Sequence, residues 1–242
     1  MNVAELQEWL NDKGQHIDGY VPLVVDGIGG RLTRQAFIQL FKNKNAHAVT
    51  ESDLMSIAQS LGDTDTKRIK AIGKVESAGS PYQNDGLVKI LWERHYFYKF
   101  VKRTIYLPGY KDHFLSNPKW GGYTSDFNKN GINDSWEKLS HAVCIDVDGA
   151  LQSISIGKFQ VMGIYYKKLG YEHPIDMLWD ASRNEMSHYK MLASFILNVA
   201  NLKNAFLKIS RNPENNRAFA KGYNGSAYAK HNYHGKIASA MA

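Results

Sequence analysis

The sequence predicts a mainly α protein in two parts: a small helical domain at residues 1–45 and a larger α-helical domain at residues 50–242. Apolar residues recur at helical spacing through most of the chain. The polar stretch KNKNAHAVT at 42–50 separates the two parts. The chain has 242 residues and is 43% hydrophobic and 22% charged, which suffices for a small module plus a larger globular domain.

Two helices are predicted in the first part. VAELQEWLNDKG forms the first and ends at Gly14. A glycine-rich turn follows, and we expect Thr33 or Asp26 to accept hydrogen bonds from the free amides at the start of the second helix. The predicted buried residues are Val3, Leu6 and Leu10 in the first helix, and Leu32, Ala36, Phe37, Leu40 and Phe41 in the second.

From residue 50 the sequence predicts mostly helices. ESDLMSIAQSLG, TDTKRIKAIGKVESAG, SWEKLSHAV and a run starting near DVDGALQS have helical periodicity, and residues 106–135 are rich in loop-forming residues. The longest helix is predicted at 181–200, where Ser182 and Glu185 form an S-x-x-E capping box. It should be the central core helix, and its predicted buried residues are Met186, Tyr189, Leu192, Phe195, Ile196 and Val199. A polar break, SRNPENN, precedes a final helix.

Glu76 lies at the end of the helix predicted within RIKAIGKVESAGSPY. The C-terminus of a helix carries partial negative charge, which opposes ionisation of a nearby acid. The position therefore suits a carboxylic acid that must keep its proton. The alternative from the residues alone is an ordinary glutamate on a solvated helix surface.

The segment VDGIGGRLTRQAF, together with Leu6 and Gln7, resembles the short three-helix peptidoglycan-binding module of bacterial and phage cell-wall hydrolases. The resemblance implies that residues 1–45 form a three-helix domain that binds glycan strands. An architectural role for the same residues stays open, because they also explain the turn without a ligand. The matching turn residues are Asp26, Gly27, Gly30 and Thr33.

Four later segments resemble the N-acetylmuramidase domain of phage endolysins that attack Gram-negative hosts: VESAGSPY, KILWERHYFYK, SIGKFQVMG and YNGSAYAKHNYHGKIA. Goose-type lysozymes and lytic transglycosylases share the order Glu-Ser, Gly-Phe-Gln, Tyr-Asn in outline. The resemblance implies a lysozyme-like fold that hydrolyses the β-1,4 bond between N-acetylmuramic acid and N-acetylglucosamine. One departure is Ile156, where relatives usually have Trp.

The resemblance implies that Glu76 is the general acid, which must have a raised pKa to work near neutral pH. Glu93, within LWERHYFY, is the expected second carboxylate, although a salt bridge with Arg94 or another base is an alternative. Asp146 and Asp148 are further candidates, but an Asp before a helix often caps it. The likeness to goose-type lysozymes favours an inverting mechanism.

Amides and hydroxyls suit the N-acetyl and hydroxyl groups of sugars, although each could instead tie cleft helices together. The expected substrate-binding residues are Ser77, Gln160, Tyr223 and Asn224.

Neither a metal nor an organic cofactor is predicted. DFNKNGINDSWE at 126–137 fits the spacing of a calcium loop, but Asn133 occupies the eighth position, where an apolar residue belongs, and no helix is predicted before it. The segment is therefore interpreted as a turn. HNYH at 231–234 lacks a third zinc ligand. Cys144 beside His141 could suggest a cysteine peptidase, but a buried small apolar residue is the better interpretation.

The net charge of +7 lies outside residues 1–45, and residues 201–242 carry seven Lys or Arg against one acid, Glu214. An anionic partner is expected, and the resemblance favours peptidoglycan, with outer-membrane lipids as a second partner of this basic C-terminal region. No nucleic-acid-reading motif is present, so nucleic acid is not expected. We expect a monomer.

The single cysteine, Cys144, excludes an intrachain disulfide, and the N-terminus shows no signal peptide. We therefore expect synthesis in the host cytoplasm, release through a membrane pore and action on the cell wall in the periplasm. Two other functions stay open: a lytic transglycosylase that forms anhydro-muramic products, and a non-catalytic wall-binding protein.

Overall fold

The structure, a computed structural model, describes residues 1–76 and 79–241. The chain is mainly α, as predicted. Its helices are α1 Val3–Gly14, α2 Arg31–Phe41, α3 Glu51–Ser60, α4 Lys67–Glu76, α5 Arg94–Val101, α6 Asp134–Ala142, α7 Val147–Gln152, α8 Pro174–Arg183, α9 Glu185–Ser194, α10 Lys203–Leu207, α11 Pro213–Asn224 and α12 Tyr233–Ala240. Its strands are β1 Ile90–Trp92, β2 Ile105–Tyr106, β3 Phe114–Ser116, β4 Ile154–Ile156 and β5 Val161–Met162.

A three-stranded antiparallel sheet with the order β1–β4–β5 was not anticipated from the sequence. Ile90 pairs with Ile156, and Ser155 pairs with Met162. Strands of two or three residues are too short to show an alternating pattern, and every position of β4 is buried. Strands β2 and β3 form a separate hairpin-like pair.

Residues 1–45 contain two helices, one fewer than the resemblance to the binding module implied. The second of them, α2, is capped by Gly30 without a side-chain acceptor, so the predicted capping by Thr33 or Asp26 is wrong. Asp26 instead accepts a hydrogen bond from the amide of Ile28, and the Thr33 hydroxyl donates to the carbonyl of Ile28. Both side chains stabilise the turn before α2 rather than the helix itself.

The first helices pack directly on the rest of the chain. The ring of Phe41 lies 5.6 Å from that of Trp136 in α6, and the ring of Phe37 lies 6.2 Å from it. Trp9 in α1 meets the edge of Trp179 in α8 at 5.4 Å. One hydrophobic core therefore runs through both predicted parts, and the division into 1–45 and 50–242 stays a prediction.

The polar segment 42–50 is held against the larger part by hydrogen bonds. The Asn43 side chain donates to the carbonyl of Ser182 at 3.0 Å, and the amide of Glu185 donates to the carbonyl of His47 at 2.8 Å. These bonds hold the segment in place between α2 and α3.

The predicted helix at 181–200 is two helices. Ser182 belongs to α8, so its predicted role as a cap is wrong, and Asn184 caps α9 by accepting from the amide of Ser187 at 2.9 Å. The last turn, Phe195–Val199, is a π-helix. Three of the predicted core residues of this region are buried, namely Tyr189, Leu192 and Ile196, whereas Met186, Phe195 and Val199 are half-buried.

Candidate active site

A cleft of about 330 Å³ opens beside Glu76. It brings together four predicted site residues, Glu76, Gln160, Tyr223 and Asn224, from α4, the β4–β5 turn and the end of α11. Aromatic and apolar side chains complete the walls of this Glu76 cleft: Phe159, Val161, Met162, Tyr165 and Phe195. Its lining thus combines one acid, two amides and several aromatic rings, which is a suitable surface for a sugar chain.

Glu76 is the last described residue of α4 and is half-buried in the cleft wall. Its Oε1 accepts a hydrogen bond from the side-chain amide of Asn224 at 3.1 Å. Burial raises the pKa of Glu76, while the bond from Asn224 and the positive charge of Lys236 partly oppose that shift. The carboxyl group therefore keeps its proton to a higher pH than a solvated glutamate.

Tyr223 forms part of the wall next to Glu76. Its ring stacks on Phe219 at 5.6 Å with an interplanar angle of 9° and meets the edge of Phe195 at 5.6 Å. The hydroxyl donates to the carbonyl of Phe159 at 3.2 Å. Burial raises the pKa of Tyr223, and the charge of Glu76 adds to the rise. The tyrosine is thus a neutral side chain that links α11 to the β4–β5 turn.

Gln160 lies at the tip of the β4–β5 turn in a left-handed backbone conformation, with φ of 49°. Its amide is held in place because Ser155 Oγ donates to Oε1 at 2.6 Å and Nε2 donates to the carbonyl of Gly157 at 2.8 Å. The exposed Gln160 is therefore oriented beside the cleft before any ligand binds.

Gly157 begins this turn and has φ of +70°. A Cβ atom here would collide with Nδ1 of His188, a buried side chain of α9 that accepts from the amide of Lys158 at 3.3 Å. Burial lowers the pKa of His188 to about 4, so the ring is neutral. Only glycine permits this close approach of turn and helix.

Glu93 follows β1, and its amide donates to the carbonyl of Ser153 at 2.9 Å. Its Oε2 accepts from the hydroxyl of Tyr123 at 2.8 Å and lies 3.2 Å from Nδ1 of His95. The predicted partner Arg94 instead donates to the carbonyls at positions 119 and 120. The Glu93 carboxylate thus accepts a hydrogen bond from a tyrosine and lies beside a histidine ring.

The described residues that line the Glu76 cleft do not include Glu93. Strand β4 lies between β1 and β5, so the chain at Glu93 is two strand spacings, roughly 10 Å, from the strand that lines the cleft. The structure therefore places Glu93 at the end of β1, an edge strand of the same small sheet, and outside the residues that line the cleft.

The two alternative carboxylates have other partners. Asp146 caps α7 by accepting from the amide of Gly149 at 2.9 Å. Oδ2 of Asp148 forms an ion pair with the N-terminal amine of Met1 at 2.7 Å. Neither side chain is among the described residues that line the Glu76 cleft.

The predicted module residues form a turn closed by Gln7, a side chain only 2% exposed. The Gln7 amide donates to Oδ1 of Asp26 at 2.9 Å and to the hydroxyl of Thr33 at 3.3 Å, and its Oε1 accepts from the amide of Gly27 at 2.9 Å. Gly27 has a positive φ of 72°, while Gly30 is the N-cap residue of α2. The polar groups of this turn are thus paired with one another.

Several other sequence features have no catalytic arrangement. Cys144 Sγ donates to the carbonyl of Ser140. Burial raises the pKa of the Cys144 thiol and lowers the pKa of His141 to about 4.

Within residues 1–76 and 79–241, no three His, Cys, Asp or Glu side chains meet at a common metal position. In the same residues, no helix is long and apolar enough to cross a membrane. Ser77 lies outside the described residues.

The residues that contribute to the site without having been predicted there include Tyr165, Phe195 and Lys236. Aromatic residues at helical spacing are interpreted as core by default, and the periodicity assigns Phe195 to it. Charge alone places Lys236 only in a basic region, although it lies in the segment YNGSAYAKHNYHGKIA that carries the resemblance. That segment is the one feature of the sequence that could have indicated that Lys236 lies near Glu76.

Comparison with known proteins identifies the family. The family model for N-acetylmuramidase matches residues 65–242. The crystal structure of Burkholderia AP3 phage endolysin is similar, with 26% sequence identity and a TM-score of 0.67, and covers 99% of this chain and 92% of that one. The comparison with curated proteins found no match. The chain therefore belongs to the N-acetylmuramidase family, the glycoside hydrolases that cleave peptidoglycan.

Proposed function

We propose that Glu76 is the general acid that cleaves the β-1,4 bond between N-acetylmuramic acid and N-acetylglucosamine. The observation that carries this assignment is a half-buried glutamate at the wall of a cleft, with a pKa raised by burial. Such an acid protonates the leaving glycosidic oxygen while positive charge develops on the sugar ring. The hydrogen bond from Asn224 leaves one carboxyl oxygen, Oε2, to carry the proton towards the substrate.

Glu93 is our proposed second carboxylate, and the two glycosidase mechanisms require different distances between the two carboxyl groups. A retaining nucleophile lies about 5–5.5 Å from the acid, whereas an inverting base lies about 6.5–9.5 Å away with water between. The sheet separates the chain at Glu93 from the strand lining the cleft by about 10 Å. That spacing is between strands and is not the distance between the two carboxyl groups, so the likeness to goose-type lysozymes alone supports our proposal of inversion, with Glu93 activating water.

The cleft lining supports binding of a glycan strand. We infer that Gln160 and Asn224 contact N-acetyl or hydroxyl groups, because both present amides at the cleft. Tyr165 and Phe195 offer apolar ring surface to the faces of the sugars. Tyr223 shapes the wall, and Ser77 remains a proposed contact next to the acid.

Residues 1–45 are proposed to bind peptidoglycan as well. Support comes from exposed apolar side chains along the segment between α1 and α2 and at the start of α2, each at least 43% exposed. An exposed apolar surface of this kind marks an interaction site more often than chance. The side chains are Val21, Val24, Val25, Ile28 and Leu32.

The biological role proposed is lysis of a bacterial host by a phage endolysin, which acts as a monomer on the wall after release through a membrane pore. The similarity to Burkholderia AP3 phage endolysin supports this role. The basic C-terminal region is further proposed to bind anionic outer-membrane lipids. Activity on intact envelopes should then fall when five lysines are replaced by Gln together: Lys203, Lys208, Lys221, Lys230 and Lys236.

The central test compares wild type, Glu76→Gln and Glu8→Gln on purified Gram-negative peptidoglycan. Glu8 is an exposed helical glutamate and serves as the matched control. We expect Glu76→Gln to lose at least about 100-fold in rate while staying folded, because a Gln side chain has no transferable proton. New reducing ends on muramic acid in the wild-type digest identify a hydrolase, whereas products lighter by one water identify a transglycosylase. Full activity of Glu76→Gln would overturn the assignment.

A further inference from the structure

The loop at residues 126–137 runs directly into α6, whose first residue is Asp134. Oxygen-bearing side chains occupy positions 1, 3, 5, 9 and 12 of this twelve-residue segment, and Gly131 occupies position 6 with φ of +78°. These are the positions that supply ligands, and the glycine, in a helix-terminal calcium loop. The five side chains are Asp126, Asn128, Asn130, Asp134 and Glu137.

The side chains at positions 3 and 5 of this segment both donate hydrogen bonds to the side chain at position 12. The Asn128 amide donates to both carboxylate oxygens of Glu137 at 3.1 and 3.2 Å, and the Asn130 amide donates to Oε1 at 3.2 Å. Asp126 at position 1 accepts from the backbone amides of Asn130 and Gly131 at 3.0 and 3.1 Å. The asparagine amide groups therefore occupy the space between the acids, and this keeps the carboxylates from forming a compact acidic cluster.

The acid at position 9 is an unsatisfied group inside the protein. Asp134 is completely buried, and its Oδ1 accepts from the amide of Phe127, so the carboxylate faces the loop. Its other oxygen, Oδ2, is buried without a hydrogen-bond partner in the described part of the chain. A buried carboxylate oxygen without a partner is costly and rare, and a bound cation would compensate its charge.

The carboxylates of this loop also form no ion pair in the described part of the chain. Within residues 1–76 and 79–241, no Lys, Arg or His nitrogen lies within 4.0 Å of a carboxylate oxygen of Asp126, Asp134 or Glu137. The neighbouring Lys138 directs its amine to the carbonyl of Gly122 instead. The charge of Lys138 still interacts with Asp134 and Glu137, so the carboxylates of this loop are partly compensated but form no ion pair within 4.0 Å.

We propose that residues 126–137 bind one Ca²⁺ ion through Asp126, Asn128, Asn130, Asp134, Glu137 and the carbonyl oxygen of Ile132. Rotation of the two asparagine amides would present their oxygens in place of their nitrogens and admit the ion. Asn133 and the lack of a preceding helix favoured a plain turn when only the sequence was considered. Neither feature removes a ligand, since position 8 supplies none.

Calcium in this loop would stabilise the start of α6 and, through it, strand β1. The hydroxyl of Ser135 accepts from the amide of Trp92 at 3.1 Å, and the indole of Trp136 donates to the carbonyl of Val88 at 2.8 Å. Strand β1 leads directly to Glu93. The ion would thus act on the positioning of that strand, and the proposed binding does not depend on the catalytic assignment.

The test measures metal binding by the EDTA-treated full-length chain. Calorimetry with CaCl₂ should give one site with a Kd between about 10⁻⁶ and 10⁻³ M. Trp136 lies at position 11 of the loop, so it should sensitise the luminescence of bound Tb³⁺. At 100 times Kd, Ca²⁺ should raise Tm by about 5–10 °C. MgCl₂ at the same concentration should give a smaller rise.

Asp126→Asn and Glu137→Gln should each weaken Ca²⁺ binding at least about 10-fold, whereas Asp112→Asn, an exposed acid outside the loop, should match the wild type. If Glu137→Gln fails to fold, the Ca²⁺ affinity of Asp126→Asn alone tests the proposed ligands. Absence of calorimetric heat, of Tb³⁺ luminescence and of a Tm rise at about 10 mM CaCl₂ would overturn the proposal, as would wild-type affinity in Asp126→Asn. These measurements need no substrate, so their failure is distinct from a failure of Glu76 as the acid.

Discussion

The side-chain amide of Asn224 donates a hydrogen bond to Oε1 of Glu76 at 3.1 Å, across a sequence separation of 148 residues. The bond joins the C-terminal ends of α4 and α11 at the cleft. It orients the carboxyl group and favours its charged form, whereas burial favours the neutral form. Burial is the larger effect, so the net result is a raised pKa.

The alkaline limit of activity should report the pKa of Glu76. Since the protonated acid is the active form, the rate should fall as pH rises through this pKa. The exposed Lys236 lowers the pKa of Glu76, so Lys236→Gln should move the alkaline limb to higher pH, most clearly at low salt. Lys230→Gln, also exposed, should leave the limb in place. A shift to lower pH in Lys236→Gln would contradict the assignment.

Glu76 should destabilise the fold at neutral pH. Its folded-state pKa exceeds the ordinary value of 4.5, so the folded protein holds this proton more tightly than the unfolded chain does. The cost is absent below pH 4.5, grows as pH rises towards the folded-state pKa and is constant above it. Glu76→Gln should therefore be more stable than wild type at pH 8 and close to it in stability at pH 4.

Urea unfolding at the two pH values measures this difference. Glu8→Gln is the control, because its exposed carboxylate should give the same small change at both pH values. Equal effects of Glu76→Gln at pH 4 and pH 8 would mean that Glu76 titrates normally.

The turn that carries Gln160 should depend on Gly157. Gly157→Ala adds a Cβ that collides with buried His188 and also forces alanine into a left-handed conformation, so we expect a loss of about 2–5 kcal/mol together with reduced activity. Gly170→Ala shares the positive φ but has open space around it, and should lose only about 1–2 kcal/mol without loss of activity. If urea unfolding gave similar stabilities for the two variants, the predicted collision between the added Cβ and His188 would be wrong.

Glu93 and Tyr123 offer a test of the second carboxylate. If Glu93 activates water, Glu93→Gln should reduce the rate by about 100-fold or more, and Tyr123→Phe, which loses the 2.8 Å hydrogen bond, by about 10-fold. Tyr106→Phe, at a half-exposed tyrosine, is the control. A near-wild-type rate for Glu93→Gln on purified peptidoglycan would leave Glu93 as a structural residue.

Residues 1–45 should contribute to the stability of the whole chain. Phe41 is completely buried and packs on Trp136, so Phe41→Ala should cost about 3–5 kcal/mol of unfolding free energy. Leu32 lies on the same helix but is 63% exposed, and Leu32→Ala should change stability by less than about 0.5 kcal/mol. Two separate thermal transitions, with Phe41→Ala affecting only one, would instead indicate two independent domains.

Much of the local structure was predictable because it depends on neighbouring residues. The helical segments around Leu6, Phe37 and Ile72 follow the 3.6-residue period, and Asp146 caps the helix that follows it. The sheet was missed because strands as short as Val161–Met162 carry no period, and the break at Asn184 was missed because Ser182 and Asn184 are both good capping residues.

The sequence by itself determined the helical class, the placement of a glutamate at the end of α4, and the motifs that bring Gln160, Tyr223 and Asn224 into consideration. Only the tertiary structure decided that these residues meet at one cleft with Glu76, and that Glu93 follows the edge strand β1 outside the lining of this cleft. Helix formation depends on contacts three or four residues apart. Burial, and with it the pKa of Glu76, depends on side chains more than a hundred positions away, whose proximity only the folded chain creates.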